Sequence, residues 1–261
     1  MTMLSQFCSI RGAIGKIISI MLLVCTFFGC VKGVNSEYSD QNMSYSIIHN
    51  QFEDINEEND THTVIEYPSI VGLKDKNREK VVNEIIKNAA INDYFNHGNT
   101  KGTKWLIQYR VSLLTENYLS VVFEGYSDKK GAAHPTRRLY GATVNLHTGE
   151  KMLIYDLFQY TLYQNYDRRV FRYKGGQRSD DPNTITYIIE HTPDESISKM
   201  FKDEVDTSHN AFGCFYLTDD ELILFIPTSH AMGEQLPFHA KYADLSGLLN
   251  TESPFWHELL K

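Results

Sequence analysis

KWLIQYRVSLLTENYLSVVFEGY, residues 104–126, decides how the chain folds. Trp105, Ile107, Tyr109, Val111 and Leu113 alternate with Lys104, Gln108, Arg110 and Ser112, a period of two that predicts a strand with its aromatic residues on one face. Thr115-Glu116-Asn117 has turn chemistry, and residues 118–126 return with Leu119, Val121 and Phe123 on a shared face. Further on, residues 139–146 and 152–155 flank the turn His147-Thr148-Gly149-Glu150. Four strands with such short links predict an antiparallel meander.

Upstream, Tyr45, Ile47 and Ile48 begin an apolar stretch that the acidic residues 53–60 interrupt, and Val64, Ile65, Tyr67 and Ile70 resume it, which predicts two strands joined by a charged loop. Between residues 77 and 94 the pairs Val81/Val82, Ile85/Ile86 and Ala89/Ala90 recur every four residues, the stripe of one packed helix. Downstream, residues 212–217 and 222–226 flank Thr218-Asp219-Asp220-Glu221 as a second hairpin. Phe238, Ala240 and Tyr242 then alternate as a closing strand before a short helix around residues 244–249. The expected fold is α+β, an antiparallel sheet meander with one main packed helix and a short C-terminal helix. At 42% apolar and 12% aromatic residues, the chain has ample material for a core and is not disordered. Residues 159–195 read as a mobile charged loop or irregular insertion. Arg168, Arg169, Arg172, Lys174 and Arg178 there form a possible basic patch for an anionic glycan or lipid headgroup.

Arg11 and Lys16 precede residues 17–31, IISIMLLVCTFFGCV, in the order of a secretory leader. That run is shorter than the roughly 20 residues a membrane span needs, and it ends at Phe27-Phe28-Gly29-Cys30, similar to a bacterial lipobox. The expected organisation is a signal peptide at 1–29, lipidated Cys30 and a polar tether at 30–43, and one domain at 44–261, held outside the bacterial cytoplasmic membrane by its lipid. An uncleaved signal anchor would leave the domain on the same side. Cys8 and Cys25 leave with the leader, so Cys214 is the one thiol of the body and is expected to be buried among Phe212, Phe215 and Leu217. Losing Arg11 and Lys16 takes the basic count from 25 to 23 against 33 acids, and the formal charge from −8 to −10. Such a surface disfavours nucleic acid and steers basic partners.

Catalytic motifs are missing: there is no Gly-x-Ser-x-Gly elbow, His-Glu-x-x-His helix, phosphate-binding Gly-x4-Gly-Lys loop or dinucleotide fingerprint. HTGEK at 147–151 matches a zinc-finger linker but has no paired cysteines beside it, and ten histidines, among them His134, His191, His209, His230 and His239, are scattered. Neither a metal nor a cofactor is expected. Asp219 and Asp220 are paired carboxylates that read first as the turn itself. In Gly131-Ala132-Ala133-His134-Pro135, small residues allow close backbone approach and Pro135 extends His134. That segment is either a shaped connection or a way of placing His134 in a cleft.

Several short motifs occur in order: Tyr67-Pro68-Ser69-Ile70-Val71-Gly72-Leu73, Trp105, Leu119-Ser120-Val121, Gly131 to Pro135, His147-Thr148-Gly149 with Asp156-Leu157-Phe158, and Phe215-Tyr216-Leu217-Thr218-Asp219-Asp220. Together they resemble the extracytoplasmic domain of unknown function shared by RsiV-type anti-sigma factors and PdaC-type peptidoglycan deacetylases. The resemblance implies an α+β sensing or binding module, with a cell-envelope component or a basic protein of the lysozyme kind as ligand. It suggests His134, Tyr216, Asp219 and Asp220 as ligand-binding residues. The chain lacks room for a sigma-binding segment before its apolar run and carries no separate catalytic domain, so a module without catalysis of its own is expected. The competing expectation is a cell-wall glycan-acting enzyme using His134 and a carboxylate such as Asp219. After Pro227 the chain reads Thr228-Ser229-His230-Ala231-Met232-Gly233 where the family has an aromatic, acidic loop, so contacts made there do not carry over.

Overall fold

The computed structural model describes residues 44–98, 101–159, 172–173, 215–227 and 235–260. Cys30, Cys214, the loop 228–233 and all but three residues of the charged segment 159–195 lie outside them, as do the expectations that rest on them.

Two long strands open the fold, β1 (Ser46–Asn56) and β2 (Thr61–Val71), paired antiparallel through eleven residues each. Glu53 and Asp54 therefore belong to a strand, and the acidic loop shrinks to a turn at Asp60, which has a positive φ of 51°. Next comes helix α1 (Lys76–Asp93), and then β3 (Thr103–Leu114), β4 (Tyr118–Lys129), β5 (Thr136–Asn145) and β6 (Glu150–Lys151) complete a sheet in sequence order. From β3 to β5 the expected antiparallel meander holds, and its last strand is β6, at Glu150–Lys151 instead of residues 152–155. β2 and β3, in contrast, run parallel, with His62–Ile65 beside Lys104–Ile107. Parallel neighbours need a crossover, and α1 is that crossover.

Asp75 caps α1, accepting from the Asn77 and Arg78 amides at 3.0 and 3.1 Å. Of each apolar doublet one member is fully buried: Val82, Ile86 and Ala90 sit at 0% exposure, whereas Val81 is 46% exposed. They meet Ile65, Ile70, Ile107, Leu119, Val121 and Phe123 on the sheet. Beyond Ile65, β2 leaves β3, and the Asn83 side chain takes over the open edge. Its Oδ1 accepts from the Ile70 amide at 2.7 Å and its Nδ2 donates to the Ile70 carbonyl at 2.8 Å, as a neighbouring strand would.

The strand that opened the sequence argument departs from its pattern at one point. The β3–β4 register shifts between Val111 and Leu113, a β-bulge at Ser112. Leu113 is thereby turned to the opposite face, and Leu114 packs toward α1 in its place. That opposite face is covered by a second sheet of β7 (Arg172–Tyr173), β8 (Phe215–Leu217), β9 (Glu221–Pro227) and β10 (Gln235–Lys241), in the order β7-β10-β9-β8. Contact is close enough that a Cβ on Gly141 would lie 2.2 Å from the Phe215 carbonyl oxygen. The Ser120 hydroxyl also accepts from the Leu217 amide at 3.0 Å.

Residues 152–155 do not extend a strand. After β6 the chain forms the single-turn helix α2 (Ile154–Leu157), closed by Asp156, whose Oδ2 accepts from the Leu153 amide at 2.7 Å. The helix expected near 244–249 is a 3-10 turn, Tyr242–Leu248, and a further helix α3 (Pro254–Leu259) follows. Trp256 of α3 plugs the second core, and its Nε1 donates to the Leu157 carbonyl at 2.6 Å.

Two outcomes are expected. Asn83→Ala strands both the amide and the carbonyl of Ile70 beside an apolar helix and should cost about 2 kcal/mol. In a domain of this size that is a fall in Tm of roughly 4–8 °C by calorimetry, with Val81→Ala as the near-neutral control. Burial first, and the charge of Asp93 second, push the Tyr140 hydroxyl far above the usual tyrosine range; burial also pushes up Tyr242. A raised folded-state pKa contributes stability that is complete below about pH 10 and declines as pH rises from there toward the folded value. Urea midpoints should therefore fall above pH 10, and Tyr140→Phe should flatten that fall.

Candidate functional site

At the end of the sheet where β4 begins and β5 stops, the chain leaves a cleft of about 290 Å³. Its floor is Tyr118 and Met152, 3% and 6% exposed, with Ser253 beside them. One wall is the β5–β6 turn. There Asn145 Oδ1 accepts from the His147 and Thr148 amides at 2.8 and 3.0 Å and so fixes Glu150 and Lys151 at the rim. Opposite stand Asp156 of α2 and the segment Asn250, Glu252 and Pro254 that leads into α3. These two pieces are stitched together, because the Asn250 amide donates to the Leu157 carbonyl at 2.9 Å. The cleft is therefore bounded by three connections, each held by its own backbone bonds.

Three carboxylates, Glu150, Asp156 and Glu252, are exposed around it, with Lys151 the one cationic lining residue. More acid lies close by. Glu258 Oε2 accepts from Asn117 Nδ2 at 2.8 Å, and burial followed by the Glu258 charge raises the pKa of the floor residue Tyr118. Tyr45, bonded to the Thr115 carbonyl at 2.5 Å, is raised by burial and then by Glu258 and Glu116. The lining sets three carboxylates against a single lysine, an arrangement that attracts cationic groups. Among the described residues no cluster of three or more His, Cys, Asp or Glu side chains could hold a metal ion.

The residues singled out in the sequence fall in three places. Asp219 and Asp220 are exposed in the tight turn between β8 and β9, which Thr218 organises by accepting from the Glu221 amide at 3.0 Å. Tyr216 is 7% exposed and packed between the sheets, with the Arg110 guanidinium 5.5 Å from its ring centre and Phe225 at 5.6 Å. His134 is exposed in the β4–β5 connection, its Nδ1 3.3 Å from the Pro135 carbonyl. Leu217, next to the Asp219 turn, bonds Ser120, while the His134 connection lies beyond the Ser127–Thr136 pair. Seven strand residues, roughly 23 Å at the usual rise, separate those levels. The fold does not bring His134 and Asp219 together. It gathers instead Glu150 of β6, Asp156 of α2 and Glu252 before α3, which the sequence left unmarked because they belong to three separate elements and form no local motif.

No protein-family model matches the chain, and no curated protein matches it. Among solved structures, a DUF3298 family member from Bacteroides fragilis NCTC 9343 has 14% sequence identity and a TM-score of 0.50, over 87% of this chain and 99% of that one. A DUF3298 family protein from Pseudomonas aeruginosa PAO1 has 10% identity and a TM-score of 0.43, over 79% of this chain and 94% of that one. At such identity the first likeness is one of fold, and the structural neighbours of this chain are members of a domain-of-unknown-function family, DUF3298.

Proposed function

We propose that this protein is a non-catalytic binding module of the bacterial cell envelope, tethered outside the membrane through Cys30, that takes a basic ligand in the cleft beside Tyr118. The observation that carries the reading is the set of carboxylates Glu150, Asp156 and Glu252 around a preformed cleft, with Glu116 and Glu258 alongside. A cationic protein surface of the lysozyme type, or a cationic envelope component, is complementary to it. Relation to the RsiV-type and PdaC-type domains belongs to the same proposal and rests on the ordered motifs from Tyr67 to Asp220. No helix among the described residues is long and apolar enough to cross a membrane.

Charge steering is screened over about 8–10 Å at physiological salt, so attraction alone fades there while a fitted complex persists. Binding of lysozyme and of an unrelated basic protein of similar charge is measured by calorimetry at low and physiological salt. The expected result is one specific complex that survives salt and is weakened at least about tenfold by Glu150→Lys with Glu252→Lys. Equal binding of both proteins, or none at physiological salt, refutes the reading. For the anchor, mass spectrometry of the native protein should find a first peptide beginning at lipid-modified Cys30. Two acyl chains hold a protein on a membrane where one is marginal. An intact Met1 terminus would establish the uncleaved anchor.

A further inference from the structure

The eleven residues of β1, SIIHNQFEDIN, form an outer edge of the six-stranded sheet, and among the described residues no strand lies on their far side. Every second residue of an antiparallel edge turns its N–H and C=O away from its partner, so β1 offers a ladder of hydrogen-bonding groups that no described strand fills. The other sheet ends are short: β6 and β7 have two residues each and β8 has three. Long edges are normally blunted by proline, lysine or a bulge. β1 has none of these, and its register with β2 is unbroken from Ser46 to Asn56.

What flanks this edge selects its occupant. Glu53 lies in β1, Glu57 and Glu58 in the following turn, and Glu66 opposite Gln51, while β1 itself contains no lysine or arginine. Ile55 is 60% exposed, and Phe95, 56% exposed, packs at a tilt against Phe52 with ring centres 5.6 Å apart. Phe52 and Ile55 are three apart in the strand and so face opposite sides of the ribbon. An incoming strand thus meets acid toward the Glu53–Glu58 end of the edge and an apolar contact on each face.

We propose that β1 accepts an extended, lysine- or arginine-rich segment of a partner protein as a seventh strand. Main-chain bonds hold the segment, Glu53, Glu57, Glu58 and Glu66 select its charge, and Ile55 and Phe95 take its apolar side chains. The site is separate from the cleft, and its failure leaves the cleft reading intact.

The test uses the full-length protein and a labelled peptide of seven alternating lysines and valines. Expected are saturable binding by fluorescence anisotropy, slowed hydrogen exchange confined to residues 46–56, and about tenfold weaker binding for Glu53→Lys that is folded by circular dichroism. A fully backbone-N-methylated peptide keeps the charge and loses the donors, and should not bind. Equal binding of that peptide, protection at the cleft instead of β1, or a β1-mediated dimer that the peptide fails to dissociate would overturn the proposal.

Discussion

Four residue pairs, His62–Ile65 against Lys104–Ile107, constrain everything else in the domain. Because these strands run parallel, the chain must travel the length of the sheet between them, and α1 with its π-helical end Tyr94–Gly98 makes that journey. One sheet face is thereby committed to the helix, and the remaining strands can continue as hairpins. The helix is fastened at both ends. At its start Glu79 accepts from the Gly72 and Leu73 amides at 2.7 and 2.8 Å. At its close the Tyr140 hydroxyl donates to the Ala90 carbonyl at 2.8 Å.

The buried Asp93 carboxylate lies at the helix terminus where a negative charge is least welcome. Arg138 answers it at 3.2 Å, donates to Ser127 at 3.1 Å and lies over the Trp105 ring at 4.6 Å. One guanidinium thus joins the helix end to β3, β4 and β5. Its removal would leave an uncompensated buried charge, which costs more than the ion pair contributes.

Much of this was legible in the sequence, because the signals that carried it are periodic. The α1 stripe, the alternation in β3 and β4, and the turns at residues 115–117 and 218–220 all emerged where expected. What was hidden depends on partners far away in the chain. The bulge at Ser112 is invisible in an apolar alternation that continues through Leu113, since either face can bury a leucine. In β2 the buried residues are Thr61, Thr63 and Ile65 and then Pro68 and Ile70, a change of phase that follows from the coiling of the ribbon. Residues 152–155 are apolar enough for a strand, yet Asp156 closes a helical turn there. The start of α3 is marked locally by Ser253-Pro254, with proline in the first turn, where a missing N–H costs nothing. Parallel pairing of β2 with β3 was foreshadowed by a helix between two strands, the arrangement that a crossover requires.

The site was less legible than the fold for a related reason. A hairpin sheet collects its connections at two ends, and which acids share an end is decided by strand number and register rather than by sequence proximity. The β4–β5 connection holds His134 with Lys129 and Lys130, and Lys130 is paired at 2.9 Å with Asp60 of the β1–β2 turn. At the other end, the β3–β4 and β5–β6 turns and the approach to α3 bring Glu116, Glu150, Asp156, Glu252 and Glu258 into one neighbourhood. Their mutual repulsion is tolerated because the three residues that line the cleft are exposed to water, where like charges interact weakly. A cationic surface closing over the cleft would displace that water and strengthen each attraction. The arrangement therefore costs the free domain little, and under the proposed reading most of its electrostatic energy would be gained on binding, unlike that of the structural ion pair around Asp93.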